Sequence, residues 1–155
     1  MAQGSREEAP QRLSYLESTA QGIEGRLLHL VKEVAQGAIP LADFVAELTF
    51  LEKDLRRSFR RVVDMKERRD LDFRTLRTLD VLESHYIWLY RKIHLEQTFF
   101  RKLHLEARLR SLLSTDALAV YQELLDAEEQ EREFLGKGDA ELRQQLLEGD
   151  CTGSP

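Results

Sequence analysis

Apolar residues in this chain recur at steps of three and four, the period of one face of an α-helix, rather than at the step of two that a half-buried strand requires. The first row is the most regular: Leu13, Leu16, Ala20, Ile23, Leu27, Leu30 and Val34 alternate those steps and place one seam along a helix of about residues 10–36. Pro10 suits the first turn of that helix, and the polar residues 1–9 before it are expected to be flexible. Gly22 and Gly25 interrupt the row, marking a weak point or, as the preferred reading, a close approach by a neighbouring backbone.

Gly37 can take the left-handed conformation that stops a helix, and Pro40 can open the next, so helices one and two form a hairpin. Leu41, Phe44, Leu48, Leu51, Leu55, Phe59 and Val62 carry the seam of a helix over about 40–67. The row lapses in the charged run Lys66 to Asp70, where Asp70 or Asp72 can cap a third helix. That helix, about 72–113, is the longest, roughly 63 Å at the standard rise. Its main seam is Leu79, Leu82, Tyr86, Leu89, Ile93, Phe100 and Leu103, with Asp80, Glu83, Arg91, His94, Thr98, Arg101 and Lys102 on a solvated side. The aromatic run Tyr86 to Tyr90 also permits a short strand, but the sustained seam on both sides argues against it. Ser114 or Thr115 starts a fourth helix, about 115–135, with Leu118, Tyr121, Leu124, Leu125 and Phe134 as its apolar face. After Gly136 and Gly138, Asp139 can cap a last short helix, about 139–148, followed by a tail, 149–155, expected to be disordered. The expectation is an all-α fold: one domain over 10–148, an antiparallel bundle of four main helices with coiled-coil-like packing around the long third.

Composition changes this picture little. A length of 155 residues suffices for one core without a disulfide, and the single cysteine, Cys151, stands in the polar tail. The first thirty residues carry too many charges for a signal peptide or a membrane span, and a cytoplasmic or nuclear protein is expected. Charge is uneven. From Lys53 to Arg77 there are ten Lys or Arg against five Asp or Glu, whereas from Glu123 onward there are three against ten, so the two segments are expected to attract each other within one chain or head to tail between copies.

No motif carries chemistry. His29, His85, His94 and His104 lack the three- or four-residue spacing of helical metal ligands, and no Glu-x-x-His occurs. No glycine-rich phosphate loop is present, and nothing supports a catalytic triad. The expectation is a protein that is not an enzyme and has no cofactor, metal or small-molecule substrate.

Two surfaces remain. Val81, Trp88, Leu95 and Phe99 form a second stripe on helix three; the plainer reading is core packed against helix four, the sharper one a patch for a partner protein or a second copy, anchored by Trp88. Lys53, Arg56, Arg57, Arg60 and Arg61 give helix two a basic face, either solvated or aimed at an acidic protein, anionic lipid or nucleic acid. Nucleic acid is weakened by the overall acidity, net charge −5, and by the lack of interleaved aromatics. Lipid is weakened because the opposite face of the helix is committed to a seam. The favoured function is an interaction module, an adaptor or subunit of a larger assembly.

Overall fold

The computed structural model describes residues 2–112 and 114–149, with side chains over 10–112 and 116–149. Five helices follow in order, α1 (Ala2–Ala35), α2 (Leu41–Lys66), α3 (Phe73–Ser111), α4 (Ser114–Leu135) and α5 (Asp139–Glu148), with no strand among the described residues. The breaks fall where the residues demand them. Gly37 takes φ 74°, and the Gly37 and Ala38 amides close the end of α1 on Val34 O and Glu33 O. Asp72 caps α3, its side chain accepting from the Thr75 amide at 2.8 Å. The 39 residues of α3 span about 58 Å.

α1 starts at Ala2 and runs through Pro10, rather than starting there. Good helix formers at Arg6, Glu7, Glu8 and Ala9 continue the helix backwards, leaving only the bond that the Pro10 nitrogen cannot donate. Gly22 and Gly25 neither break α1 nor meet a neighbour, since a Cβ at either would find nothing within 4 Å. The tail from residue 150 onward, with Cys151, lies outside the described residues.

α2 runs antiparallel to α3, with Lys66 on Glu83, Arg56 on Tyr90 and Phe44 on Phe100 in order along the pair. The core lies among α1, α2 and the first two-thirds of α3: Leu30, Phe44, Leu48, Leu55, Phe59, Leu79, Tyr86, Leu89 and Ile93 are sealed from water. Tyr86 donates from its hydroxyl to Leu16 O at 2.9 Å, and burial pushes its pKa up to about 12.

α4 does not join this core as a fourth member. It packs on α3 alone and returns along its far end, burying Val120, Leu124 and Ala127 against Leu105. The apolar face expected for it is divided: Leu118, Tyr121 and Leu125 are exposed, whereas Leu124 is buried on α3 and Phe134 is half-buried against Tyr90 and His94 at the edge of the main core. A helix with one neighbour buries one narrow row, and Ala127 lets α3 approach most closely on that side. The position beside α2 and α3 is taken by α5, which seals Leu142 and Leu146 completely. α5 also covers the side of α3 expected to be solvated: Glu83 is only 7% exposed, held by Lys66 Nζ at 2.6 Å and by Arg143 Nε.

Candidate functional site

On α3, the residues facing away from α1 and α2 form the stripe Val81, Trp88, Leu95 and Phe99. At 100° per residue, Val81, Trp88 and Leu95 repeat almost in line, and Phe99 and Leu103 continue the row. The structure does not bury this stripe in the core. Val81 is 67% exposed, Trp88 42% and Phe99 46%, Leu95 is half-buried, and Leu103 stays exposed although it was expected in the main seam. The cause is the placement of α4 and α5. α5 is short and covers the Glu83 side of α3, and α4 runs back along α3 from Leu105 past Lys102 to His94 and Tyr90, reaching the row only beside Leu95 and Phe99, so no described helix lies over Val81 and Trp88.

Trp88 is held in place without being covered. The His85 ring lies 6.0 Å from its ring centre, and Lys92 Nζ stands 5.9 Å over it, within reach of the ring's negative face. Further along, Phe99 packs edge-on to Phe100 at 5.1 Å and separates two open cavities. One, about 330 Å³, lies toward α4 between Leu95, Glu131 and Leu135; the other, about 430 Å³, lies toward the α1–α2 tip between Ile39, Leu41 and Leu103. Leu103 and Leu135 belong to this surface and were not anticipated. The seven-residue step on α3 reveals the row, but only the position of α4 shows which neighbours complete it.

The basic face of α2 is divided by the fold. Arg56 donates to the carbonyls of Gln145 at 2.5 Å and Leu146 at 3.1 Å, and Arg60 donates to those of Leu147 and Gly149. These carbonyls end α5, where Gln145 O accepts from the Gly149 amide but the acceptors after it run out of helical donors and the end carries partial negative charge, so the two guanidinium groups cap it. Gly149 makes room for this, because a Cβ there would fall 1.8 Å from Arg56 Nη1. Attraction between the basic segment and the acidic end of the chain is therefore realised at these two residues through backbone carbonyls rather than carboxylates. Lys53 Nζ lies over the exposed Phe50 ring at 5.8 Å, and Arg57 stands 3.6 Å from Asp54. Arg61 faces the opposite side from α5, toward α1.

There Arg61 enters a long groove lined by α1 and α2 alone. One cavity of about 570 Å³ lies between Tyr15, Leu16, Arg12, Met65 and Arg68, and a second of about 480 Å³ between Ile23, Leu51, Arg26 and Arg57; Tyr15 and Arg61 line both. The open space beside Gly22 lies in the second cavity.

Several other charged groups are engaged in structural pairs. Burial works against ionisation of Glu83, but hydrogen bonds from Lys66 and Arg143 prevail and hold its carboxyl below the usual value. Burial likewise opposes the charge on Glu52, where the His94 ring and Arg56 prevail and lower its pKa. Lys66, also opposed by burial, is raised by bonds to Asp80 and Glu83. His85 sits 3.3 Å from Glu24, and His29 pairs with Glu33 one turn on. Among the described residues no three His, Cys, Asp or Glu side chains gather as a metal site, and no helix is long and apolar enough to cross a membrane.

No family model, curated protein or solved structure matches the chain. What the site can do is therefore read from its own geometry: exposed apolar rows beside cavities, with a half-open tryptophan at the centre, suit the binding of another apolar helix face.

Proposed function

We propose that this protein is a non-enzymatic interaction module, an adaptor or subunit that docks an apolar helix of another protein on the outer row of α3. The observation that carries this reading is the exposure of Val81, Trp88 and Phe99 in one line along a helix whose opposite side is sealed in the core. A row of large apolar side chains left in water lowers its free energy when a partner covers it, and a tryptophan is the residue type that most often dominates such contacts. The cavities flanking Phe99 accept side chains of the incoming helix. A cytoplasmic or nuclear setting is part of the same reading.

The alternative, an anion-binding module working through the basic face of helix two on lipid or nucleic acid, has less to draw on. Arg56 and Arg60 are occupied by the end of α5, which leaves Lys53, Arg57 and Arg61. Three cations on two sides of a helix make few phosphate contacts, so such binding would be weak and would collapse as salt rises.

The test uses Trp88→Glu with Phe99→Glu. Both side chains are open to water, so the double variant is expected to keep the native melting temperature to within a few degrees. It is also expected to lose the proteins that the native chain captures at stoichiometric ratio in quantitative mass spectrometry. Unaltered capture would refute the reading, as would a collapse of the fold.

A further inference from the structure

We propose that the outward row of α4 in one copy docks into the α1–α2 groove of a second copy, head to tail. This is separate from the docking of a partner on α3 and uses different residues. The groove has the form of a helix seat: it follows residues 11–26 of α1 and 51–68 of α2, and its floor is the buried Leu16, Ile23, Leu51 and Met65. Gly22 leaves the channel open where a side chain would stand in it. Its charge is one-sided, with Arg12, Arg26, Arg57, Arg61 and Arg68 against Asp54 and Asp64. Arg26, Arg57 and Arg68 also hold Glu47, Asp54 and Asp70, the first two in pairs open enough to water for an incoming carboxylate to compete.

α4 is the matching insert. Leu118, Tyr121 and Leu125 stand 73%, 48% and 39% exposed at steps of three and four, the spacing of one helix face. Asp126, Glu128, Glu129 and Glu133 flank that row, Glu131 is turned to α3 and holds Lys102 at 3.1 Å, and Arg132, the single cation between 116 and 133, continues the row one heptad beyond Leu125. α4 packs only on α3, so its outer side is accessible. Seating it in the groove covers apolar side chains on both partners and brings the most acidic helix of the chain onto its arginine-lined groove. The two surfaces are different parts of the molecule, so the contact is heterologous: in a pair one copy retains an unused groove and the other an unused α4, and assembly continues into a chain or closes as a ring.

Sedimentation or light scattering at rising concentration tests this. At low salt the mass of the native protein is expected to climb above 18.1 kDa, and to fall back as ionic strength rises several-fold and screens the contact. Arg57→Glu with Arg61→Glu disables the groove, and Tyr121→Ala with Leu125→Ala disables α4 without adding a cation that the altered groove could attract; each variant alone is expected to remain monomeric. Mixed, they restore one contact with both outer ends blocked, giving a dimer at twice 18.1 kDa and nothing larger. Trp88→Ala is expected to leave self-association unchanged, which separates this contact from docking on α3. Should either double variant lose its helical circular dichroism, Tyr15→Glu and Leu118→Ala replace them. A native protein that stays at 18.1 kDa overturns the proposal, as does a mixture of variants that stays monomeric, or a groove variant that associates like the native chain. A monomer that binds vesicles of phosphatidylcholine and phosphatidylserine through the groove arginines overturns it too, and assigns the groove to an anionic membrane.

Discussion

The body of this protein and the far end of its longest helix are built from the same residue types yet hold together by very different means. In the body, α1, α2, α5 and the first two-thirds of α3 share one large core in which each helix has at least two neighbours. Beyond Phe100, α3 has only α4 beside it, and the core shrinks to Leu105, Val120, Leu124 and Ala127. A helix with two or more neighbours buries a wide arc, and one with a single neighbour buries a strip. The rest of its apolar surface stays in water. The exposed row on α4 thus follows from how few elements pack there, whereas the α3 row lies on the side of the body that α1, α2 and α5 leave open, and the groove proposed to receive α4 lies in the body, between α1 and α2.

If stability resides in the body, Tyr86→Ala should be the most damaging single change. It empties a sealed position and removes the hydroxyl bond that Leu16 O accepts in addition to its helical one, at a cost of about 3–5 kcal/mol, which thermal melting would register as a large drop or as loss of the cooperative transition. Arg56→Ala should come next, at about 2 kcal/mol, because it uncaps α5 and removes a hydrogen bond to the Tyr90 hydroxyl. Hydrogen exchange should then speed up across α5 before the rest of the body. In the arm, Leu124→Ala is expected to cost about 1–2 kcal/mol, confined to α4: faster amide exchange there with an unchanged melting midpoint. Equal loss of protection in α2 would break the distinction between the two regions.

The smallest effect is on pH dependence, and it belongs to the body. The carboxyls of Glu52 and Glu83 titrate below the ordinary 4.5, so the unfolded chain takes up their protons first. Their contribution is complete above that value and is lost as pH falls through the lower folded-state values. Lys66, raised above 10.5, loses its contribution only in strong alkali. Melting temperature should therefore be level with respect to these groups from about pH 5.5 to 10 and decline below about 4.5. Glu83→Gln should flatten part of that acid decline.

How much of this was legible in the residues depends on how many neighbours each element has. The five helices and their breaks at Gly37, Asp72 and Gly138 followed from period and punctuation, because those are local properties. Partner choice was not local. The face of α4 read as Leu118, Tyr121, Leu124, Leu125 and Phe134 mixes two sides: α3 takes Leu124 and Phe134, and leaves Leu118, Tyr121 and Leu125 outward. Glu83 read as solvated because nothing in its neighbourhood of the chain announces that α5 brings Arg143 over it. The α3 stripe was visible as a row with two interpretations. Its exposure required knowing that α5 is too short to lie over it and that α4 touches it only beside Leu95 and Phe99. Arg56 and Arg60 were recognised as cations, but their target, the carbonyl end of α5, has no side-chain signature.

Trp88 is the single tryptophan of the chain and stands in the middle of the α3 row, so its fluorescence reports the central claim without substitution. With the native protein kept dilute, emission is expected toward the red, and acrylamide should quench it nearly as readily as in the chain unfolded by denaturant. Blue-shifted emission that resists quenching would place Trp88 inside a packed core and contradict the account of α3 as an open docking face.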